Sequence, residues 1–169
     1  MSDLEQLREN MKQKFQTIEW GFHPCGRGSV FENTELTRTM LSNIAKKYNI
    51  KTVADAGAGD LSWVDEVDWD VEYTPYDIRK WDLRITEFDI TKDVLPKSDL
   101  IICRHVLNHL ENELQKEAVD RFFESECKYV FLTHTKLNCY GRNWSEPLEL
   151  AEETFPGGRV WKYGLWKIN

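Results

Sequence analysis

Basic charge, paired cysteines and long apolar runs are all scarce in this chain. Net charge is −7, from 22 Lys and Arg against 29 Asp and Glu. Phosphate-binding surfaces are usually basic, so this balance argues against nucleic acid as the main partner. The best basic cluster, Lys46-Lys47 with Lys51, reads more simply as a solvated helix end. The 4 cysteines (Cys25, Cys103, Cys127, Cys139) form no C-x-x-C pair. Cys103 and Cys127 fall in or beside expected buried strands, where the thiol acts as a small apolar group. No apolar stretch approaches the roughly 18 residues a membrane span needs. The N-terminus is polar and acidic from Ser2 onward, unlike a secretory signal, so a reducing cytoplasm is the expected compartment. What remains is a folded globule: 41% hydrophobic residues, with 7 Trp, 6 Tyr and 8 Phe. At 169 residues, one domain with a full core is expected.

Against this background one run stands out, Val53-Ala54-Asp55-Ala56-Gly57-Ala58-Gly59-Asp60. A short apolar β-type segment feeds an acidic residue and then two glycines one residue apart. A segment able to start a helix follows, over 61–67. Strand, tight glycine turn and helix is how an α/β sheet builds a nucleotide site at the carboxyl edge of its first strand. A second acid, Asp77, ends the next β-like run and lies 22 residues after Asp55. That is close to the roughly 20 expected for a carboxylate reaching a ribose diol.

The charges around the turn select among nucleotides. Ser62 stands where a dinucleotide turn would carry its third glycine, and Asp55 and Asp60 flank the loop. Carboxylates a few ångströms from a diphosphate cost on the order of 1–4 kcal/mol at effective dielectrics of 80 to 20. The same carboxylates attract an α-ammonium. S-adenosylmethionine (SAM) carries that ammonium, a sulfonium, a ribose diol and an adenine, without phosphate, so the pattern favours SAM over NAD.

These residues resemble a class I SAM-dependent methyltransferase of the Rossmann-like type. Val53 to Gly59 is similar to that family's first motif, with Asp77-Ile78 as its ribose-binding acidic motif. Phe88-Asp89-Ile90 resembles the third motif, in which an Asp meets the adenine amino group. The run Asp99 to Arg104 resembles the fourth strand and its catalytic edge. More narrowly, the segments over 105–110 and 142–148 look like a compact bacterial and phage subfamily with no assigned substrate. That subfamily often carries an acid where this chain has His105. The resemblance covers roughly residues 20 to 169, and its four motifs occur in order. It implies a mostly parallel sheet with an antiparallel C-terminal strand, helices on both faces and an N-terminal helical extension. On this reading 1–48 holds N-terminal helices and a glycine loop, 49–134 the SAM-binding core, and 135–169 an acceptor loop and final strand.

The local patterns fill in the elements. Leu4, Leu7, Met11, Phe15 and Ile18 recur at helical spacing; their stripe could pack on the domain, pair with another subunit or cover the ligand. Ser29 with Glu32 reads as a capping box opening a second helix that runs to about Tyr48. Strands are expected over 51–55, 71–77, 85–89, 98–103 and 127–133, and helices over 61–67 and 105–124. Arg159 to Ile168 reads as a final antiparallel strand at or near an edge.

The candidate cofactor residues are Asp55, Ala56, Gly57, Gly59, Asp60, Trp63, Asp77, Ile78, Asp89, Ile90 and Arg104. Asp77 could instead cap a helix, Asp89 could simply close a turn, and Trp63 could be plain core. Arg27 and Ser29 could fold over the methionyl carboxylate or stay a solvated loop. For catalysis, His105 leaves the strand edge facing the transferred methyl and suits proton removal near neutral pH; its alternative is a helix N-terminal histidine bonded to backbone. His134 ends the fifth strand on the same edge and competes for the role. His105 and His109, four apart, could ligate a metal, but no third ligand is evident and none is expected. Tyr140, Arg142 and Trp144 form an aromatic and cationic loop suited to a planar, sugar-like or carboxylated acceptor, or else a loop pinned by one buried tryptophan. The expected function is SAM-dependent methyl transfer to a small molecule, with oxygen the first choice of acceptor atom. The alternatives are SAM breakdown or cyclisation without an acceptor, and a non-catalytic regulatory module.

Overall fold

The computed structural model describes residues 2–19, 21, 23–134, 144–155 and 157–169, with the side chain of His134 left out. Tyr140 and Arg142 therefore lie outside the described residues. A capping box starts the first helix, α1 (Asp3–Thr17): Ser2 Oγ accepts from the Glu5 N–H, and the Ser2 N–H donates back to Glu5 Oε2 at 2.7 Å. The apolar stripe of α1 packs on the core, with Met11 buried and Leu4, Leu7 and Phe15 beside it. Arg8 fastens the helix by donating to the Thr91 carbonyl at 3.0 Å and pairing with Glu117 at 3.2 Å.

The second helix begins later than its sequence suggests. Two short 3-10 turns, Arg27–Ser29 and Phe31–Thr34, precede α2 (Glu35–Lys47). Ser29 Oγ donates to the Cys25 carbonyl at 3.3 Å, so its hydroxyl closes the glycine loop instead of capping a helix. The helix expected over 61–67 is reduced to a 3-10 turn, Val64–Glu66. Gly59 and Leu61 both take left-handed backbone, at φ +63° and +62°, which no α-helix accommodates. The long helix expected from residue 105 likewise starts only at Asn112, as α3 (Asn112–Glu124). His105 has φ +56° and a 3-10 turn, Leu107–His109, intervenes. His105 and His109 thus do not share a helical face.

Among the described residues seven strands form one sheet: β1 (Thr52–Ala56), β2 (Glu72–Asp77), β3 (Thr86–Glu87), β4 (Leu100–Cys103), β5 (Tyr129–His134), β6 (Glu149–Thr154) and β7 (Val160–Lys167). Their order is β3-β2-β1-β4-β5-β7-β6. The first five pair in parallel, and β7 runs antiparallel between β5 and β6. The final strand is antiparallel as expected and sits one place in from the edge, which β6 occupies.

Alternation along the strands sends side chains to two cores. Ala54, Ile101, Cys103, Val130 and Leu132 meet α3 and α1, through Leu114, Ala118, Phe122 and Met11. Val53, Leu100, Ile102, Phe131 and Leu165 meet Leu41 and Ile44 of α2 on the opposite face. Helices on both faces explain why β4 is buried at all four positions. In β7, Gly164 leaves room for Trp166, whose indole folds back so that a Cβ at 164 would lie 2.2 Å from its Cη2. Gly164→Ala is therefore expected to lower the thermal midpoint through overpacking of about 1–3 kcal/mol. Calorimetric melting checks it, and an unchanged midpoint contradicts the packing described. No helix among the described residues is long and apolar enough to cross a membrane.

Candidate functional site

The strand order reverses between β1 and β4, which leaves a crevice at the carboxyl ends of the parallel strands. The glycine turn after β1 forms its floor. Gly57 and Ala58 donate their N–H groups to the Tyr76 carbonyl at 2.8 and 3.1 Å, pinning the turn to the end of β2. Gly57 has φ +107°, and a Cβ there would sit 2.2 Å from Val106 Cγ2. The Gly59 N–H donates to Asp77 Oδ2 at 2.9 Å, while Asp77 Oδ1 accepts from the Arg79 N–H at 2.9 Å. Asp77 is thereby held rigidly at the strand end.

A cavity of about 520 Å³ opens over this crevice, within the range of small-molecule sites. Asp55, Gly57, Gly59, Trp63, Asp77, Ile78, Asp89, Ile90, Arg104 and His105 all line it. The turn and the carboxylates of Asp55, Asp77 and Asp89 are thus brought together. Asp89 also closes a turn, its Oδ1 accepting from the Thr91 N–H at 2.9 Å and the Thr91 hydroxyl at 2.7 Å. Trp63 is both core and wall, only 5% exposed and facing the Arg104 guanidinium at 5.5 Å.

Three of the sequence candidates are placed elsewhere. Ala56, the last residue of β1, is fully buried with its side chain in the core shared with α1 and α3. Asp60 does not line the cavity: its carboxylate accepts from the Ser62 N–H at 3.2 Å and lies 3.6 Å from His23 Nε2. Trp144 packs into the α3–β7 core, with ring centroids 5.4 Å from Phe123 and 5.5 Å from Trp166. Its indole does not line the cavity. The backbone of His134 ends β5 opposite Lys162.

Burial sets the electrostatics. Asp55 is 2% exposed and accepts from the Tyr73 hydroxyl at 2.7 Å. Desolvation, with the nearby Asp77 charge, pushes its pKa up to about 7 in spite of Tyr73 and Arg104. Desolvation also raises Asp77, against the backbone N–H groups that favour its charge. Arg104, 6% exposed, donates from Nε to Thr37 Oγ1 at 3.0 Å. The site therefore pairs two buried carboxyls with one buried guanidinium.

Several lining residues carried no signal in the sequence. Phe155, Arg159 and Trp161 arrive from the β6–β7 hairpin, and Trp81 from the segment after β2. Met11 and Phe15 reach the cavity from the apolar stripe of α1, so that stripe both packs on the core and covers part of the site. The loop over 25–29 closes another side, tied to the glycine turn by Ser62 Oγ, which donates to the Ser29 carbonyl at 3.1 Å.

No protein-family model matches this chain, and no curated protein does. Among solved structures, the magnesium protoporphyrin IX methyltransferase ChlM from Synechocystis PCC 6803, with bound SAM, is similar at a TM-score of 0.71 and 12% identity, over 96% of this chain and 97% of that one. The N-methyltransferase NodS from Bradyrhizobium japonicum WM9, in complex with S-adenosyl-L-homocysteine (SAH), is similar at a TM-score of 0.69 and 9% identity, over 96% of this chain and 98% of that one. Likeness at such identities speaks to architecture, and it agrees with the strand order and the crevice at the β1–β4 reversal. This chain has the fold of the class I SAM-dependent methyltransferases.

Proposed function

We propose that this chain binds SAM and transfers its methyl group to an oxygen of a small-molecule acceptor. The observation that carries the reading is the convergence of Asp55, Asp77 and Arg104 on one cavity at the strand-order reversal. Asp77 is held where a ribose diol is bound in such sheets. Asp55 suits the α-ammonium, and Arg104 suits the carboxylate of the same amino acid. Ile78, Trp81, Phe88 and Ile90 offer apolar walls for adenine, with Asp89 at its amino group. A diphosphate fits poorly beside two carboxyls.

Bound SAM supplies a methyl on a sulfonium, an already activated leaving group. The chain's task is then alignment, exclusion of water and removal of one proton. His105 leaves β4 at the cavity and takes that proton, with His134 as the second candidate. Tyr140 and Arg142 belong to the acceptor side on this reading. It also assigns the chain to a single domain in the cytoplasm, within the compact bacterial and phage subfamily its motifs resemble, and keeps a homodimer among its expectations.

The raised pKa of Asp55 makes a prediction whose sign follows from linkage. The ammonium requires the carboxylate, whereas the free protein holds the carboxyl half protonated near pH 7. Binding therefore releases a proton below that pH, and affinity rises with pH until Asp55 is ionised in the free state. SAH affinity is expected to increase by about tenfold from pH 6 to pH 8. Asp55→Asn flattens the profile as well as weakening binding. Calorimetry in buffers of differing ionisation enthalpy checks this, and a pH-independent affinity contradicts it.

Incubation with methyl-labelled SAM and a panel of small hydroxyl and amine compounds tests the activity. Label on an oxygen supports the proposal. Breakdown of SAM without acceptor, or tight binding of intact SAM with no transfer, contradicts it in favour of a degrading enzyme or a regulatory module.

A further inference from the structure

His105 sits in a setting that ordinary base catalysis does not explain. Its ring meets Trp161, Phe155 and Tyr163 edge-on, with centroids 4.5, 6.0 and 5.8 Å away. Its main-chain N–H donates to Thr133 Oγ1 at 3.0 Å, which fixes the left-handed backbone at this position. Burial, then the charges of Arg104 and His109, push its pKa down to about 2. Burial disfavours an imidazolium there, so a route that keeps the ring neutral fits this setting better.

The hydrogen bonds around it offer a different route. His105 Nε2 lies 3.1 Å from the Tyr163 hydroxyl, which donates to Glu153 Oε2 at 3.1 Å. Glu153 and Tyr163 share one face of the β6–β7 pair, because Ala151 stands opposite Tyr163 and Glu153 is two residues on. Tyr163 has one hydroxyl proton. A carboxylate can only accept, so that proton points to Glu153. The phenolic oxygen is then an acceptor toward His105, which must carry its proton on Nε2. Nδ1 keeps its lone pair.

We infer that Tyr163 and Glu153 are positioning residues that hold His105 in its Nε2–H tautomer and relay the acceptor's proton out of the cavity. The inference rests on the methyl-transfer reading above. The acceptor oxygen bonds the methyl carbon as the C–S electron pair stays on sulfur, and the hydroxyl proton passes to His105 Nδ1. The Nε2 proton moves to the Tyr163 oxygen, and the Tyr163 proton moves to Glu153. Atoms and charge balance: the sulfonium and the Glu153 carboxylate are both neutralised, and imidazole stays neutral throughout. Glu153, half-buried on the β6 edge strand, then returns its proton to water. Once product leaves, His105 gives its Nδ1 proton to water and regains a proton at Nε2 back through Glu153 and Tyr163.

The tautomer can be read without any acceptor. The chain has 4 histidines, and ¹⁵N-histidine spectra compared with those of His105→Gln assign the signal. Spectra are taken with and without SAH. Wild-type protein is expected to show His105 neutral and protonated at Nε2 from pH 6 to pH 8. Tyr163→Phe keeps the ring that stacks on Phe131, with planes 4° apart, and removes only the hydroxyl. It is expected to shift the tautomer ratio toward Nδ1–H by about tenfold, the equivalent of one hydrogen bond. Glu153→Gln moves it in the same direction, since the tyrosine hydroxyl becomes free to donate to Nε2. An Nδ1–H or cationic wild-type ring, or a ratio that Tyr163→Phe leaves unmoved, overturns the inference. SAH calorimetry on the same samples separates the failures: absent binding removes the SAM reading, whereas the tautomer result stands or falls alone. In the transfer assay each variant is expected to lose about 10²-fold or more in kcat, with SAM affinity retained in Glu153→Gln.

Discussion

Asp77→Ala is expected to lower SAH affinity by about 100-fold or more, the effect of losing two charge-assisted hydrogen bonds worth about 1.5–3 kcal/mol each. The carboxylate has a double task. It presents itself to the ligand, and it accepts from the Gly59 and Arg79 N–H groups at 2.9 Å each. Alanine therefore also leaves the half-buried Gly59 N–H without its acceptor, which loosens the glycine turn. Asp77→Asn separates the two contributions. It keeps the shape and one acceptor oxygen but loses the charge, and its affinity should fall between wild type and alanine. Titration calorimetry with SAH measures both. A loss below about threefold for the alanine variant, well under one hydrogen bond, places the ribose elsewhere.

Gly57→Ala is expected to be the most damaging small substitution in the site. At φ +107° an L-residue is strained whatever its surroundings. The added Cβ also meets Val106 Cγ2 at 2.2 Å, so the turn or the segment after β4 must move. Strain and overpacking together put the loss at about 2–5 kcal/mol. The Gly57 N–H then leaves the Tyr76 carbonyl, and SAH binding is lost with it. A double variant, Gly57→Ala with Val106→Ala, relieves the clash but not the backbone strain. It should recover part of the thermal stability and little of the binding. Equal melting of Gly57→Ala and wild type contradicts the geometry of this turn.

The parts of the fold that were legible are those whose physics is local. Parallel strands buried on both faces read as unbroken apolar runs, as Leu100 to Cys103 does. The glycine turn and the acid at the end of β2 announce themselves by residue type and spacing. β6 did not, because it is an edge strand: Leu150, Glu152 and Thr154 face solvent, and Glu149, Ala151 and Glu153 are only half-buried. A strand with no strong apolar face has no period to detect. Leu61 and His105 hid their helix breaks for another reason, since a left-handed residue without glycine is imposed by its contacts, not by its own side chain.

The same division runs through the site. Asp55, Gly57, Gly59 and Asp77 come from one contiguous strand–turn–strand unit, so chain order carries their proximity. Phe155, Arg159 and Trp161 reach the cavity only because β7 inserts between β5 and β6. Tyr163 and Glu153 join His105 through that same insertion. Trp144 left two readings open in the sequence, and its contacts with Phe123 and Trp166 favour the core.

Titration of the purified protein with SAH and, in parallel, with NAD at pH 8 tests the central claim most directly. A dissociation constant for SAH in about the micromolar range, typical of enzyme sites, with no heat from NAD, is the result expected. Binding of NAD with none of SAH contradicts it.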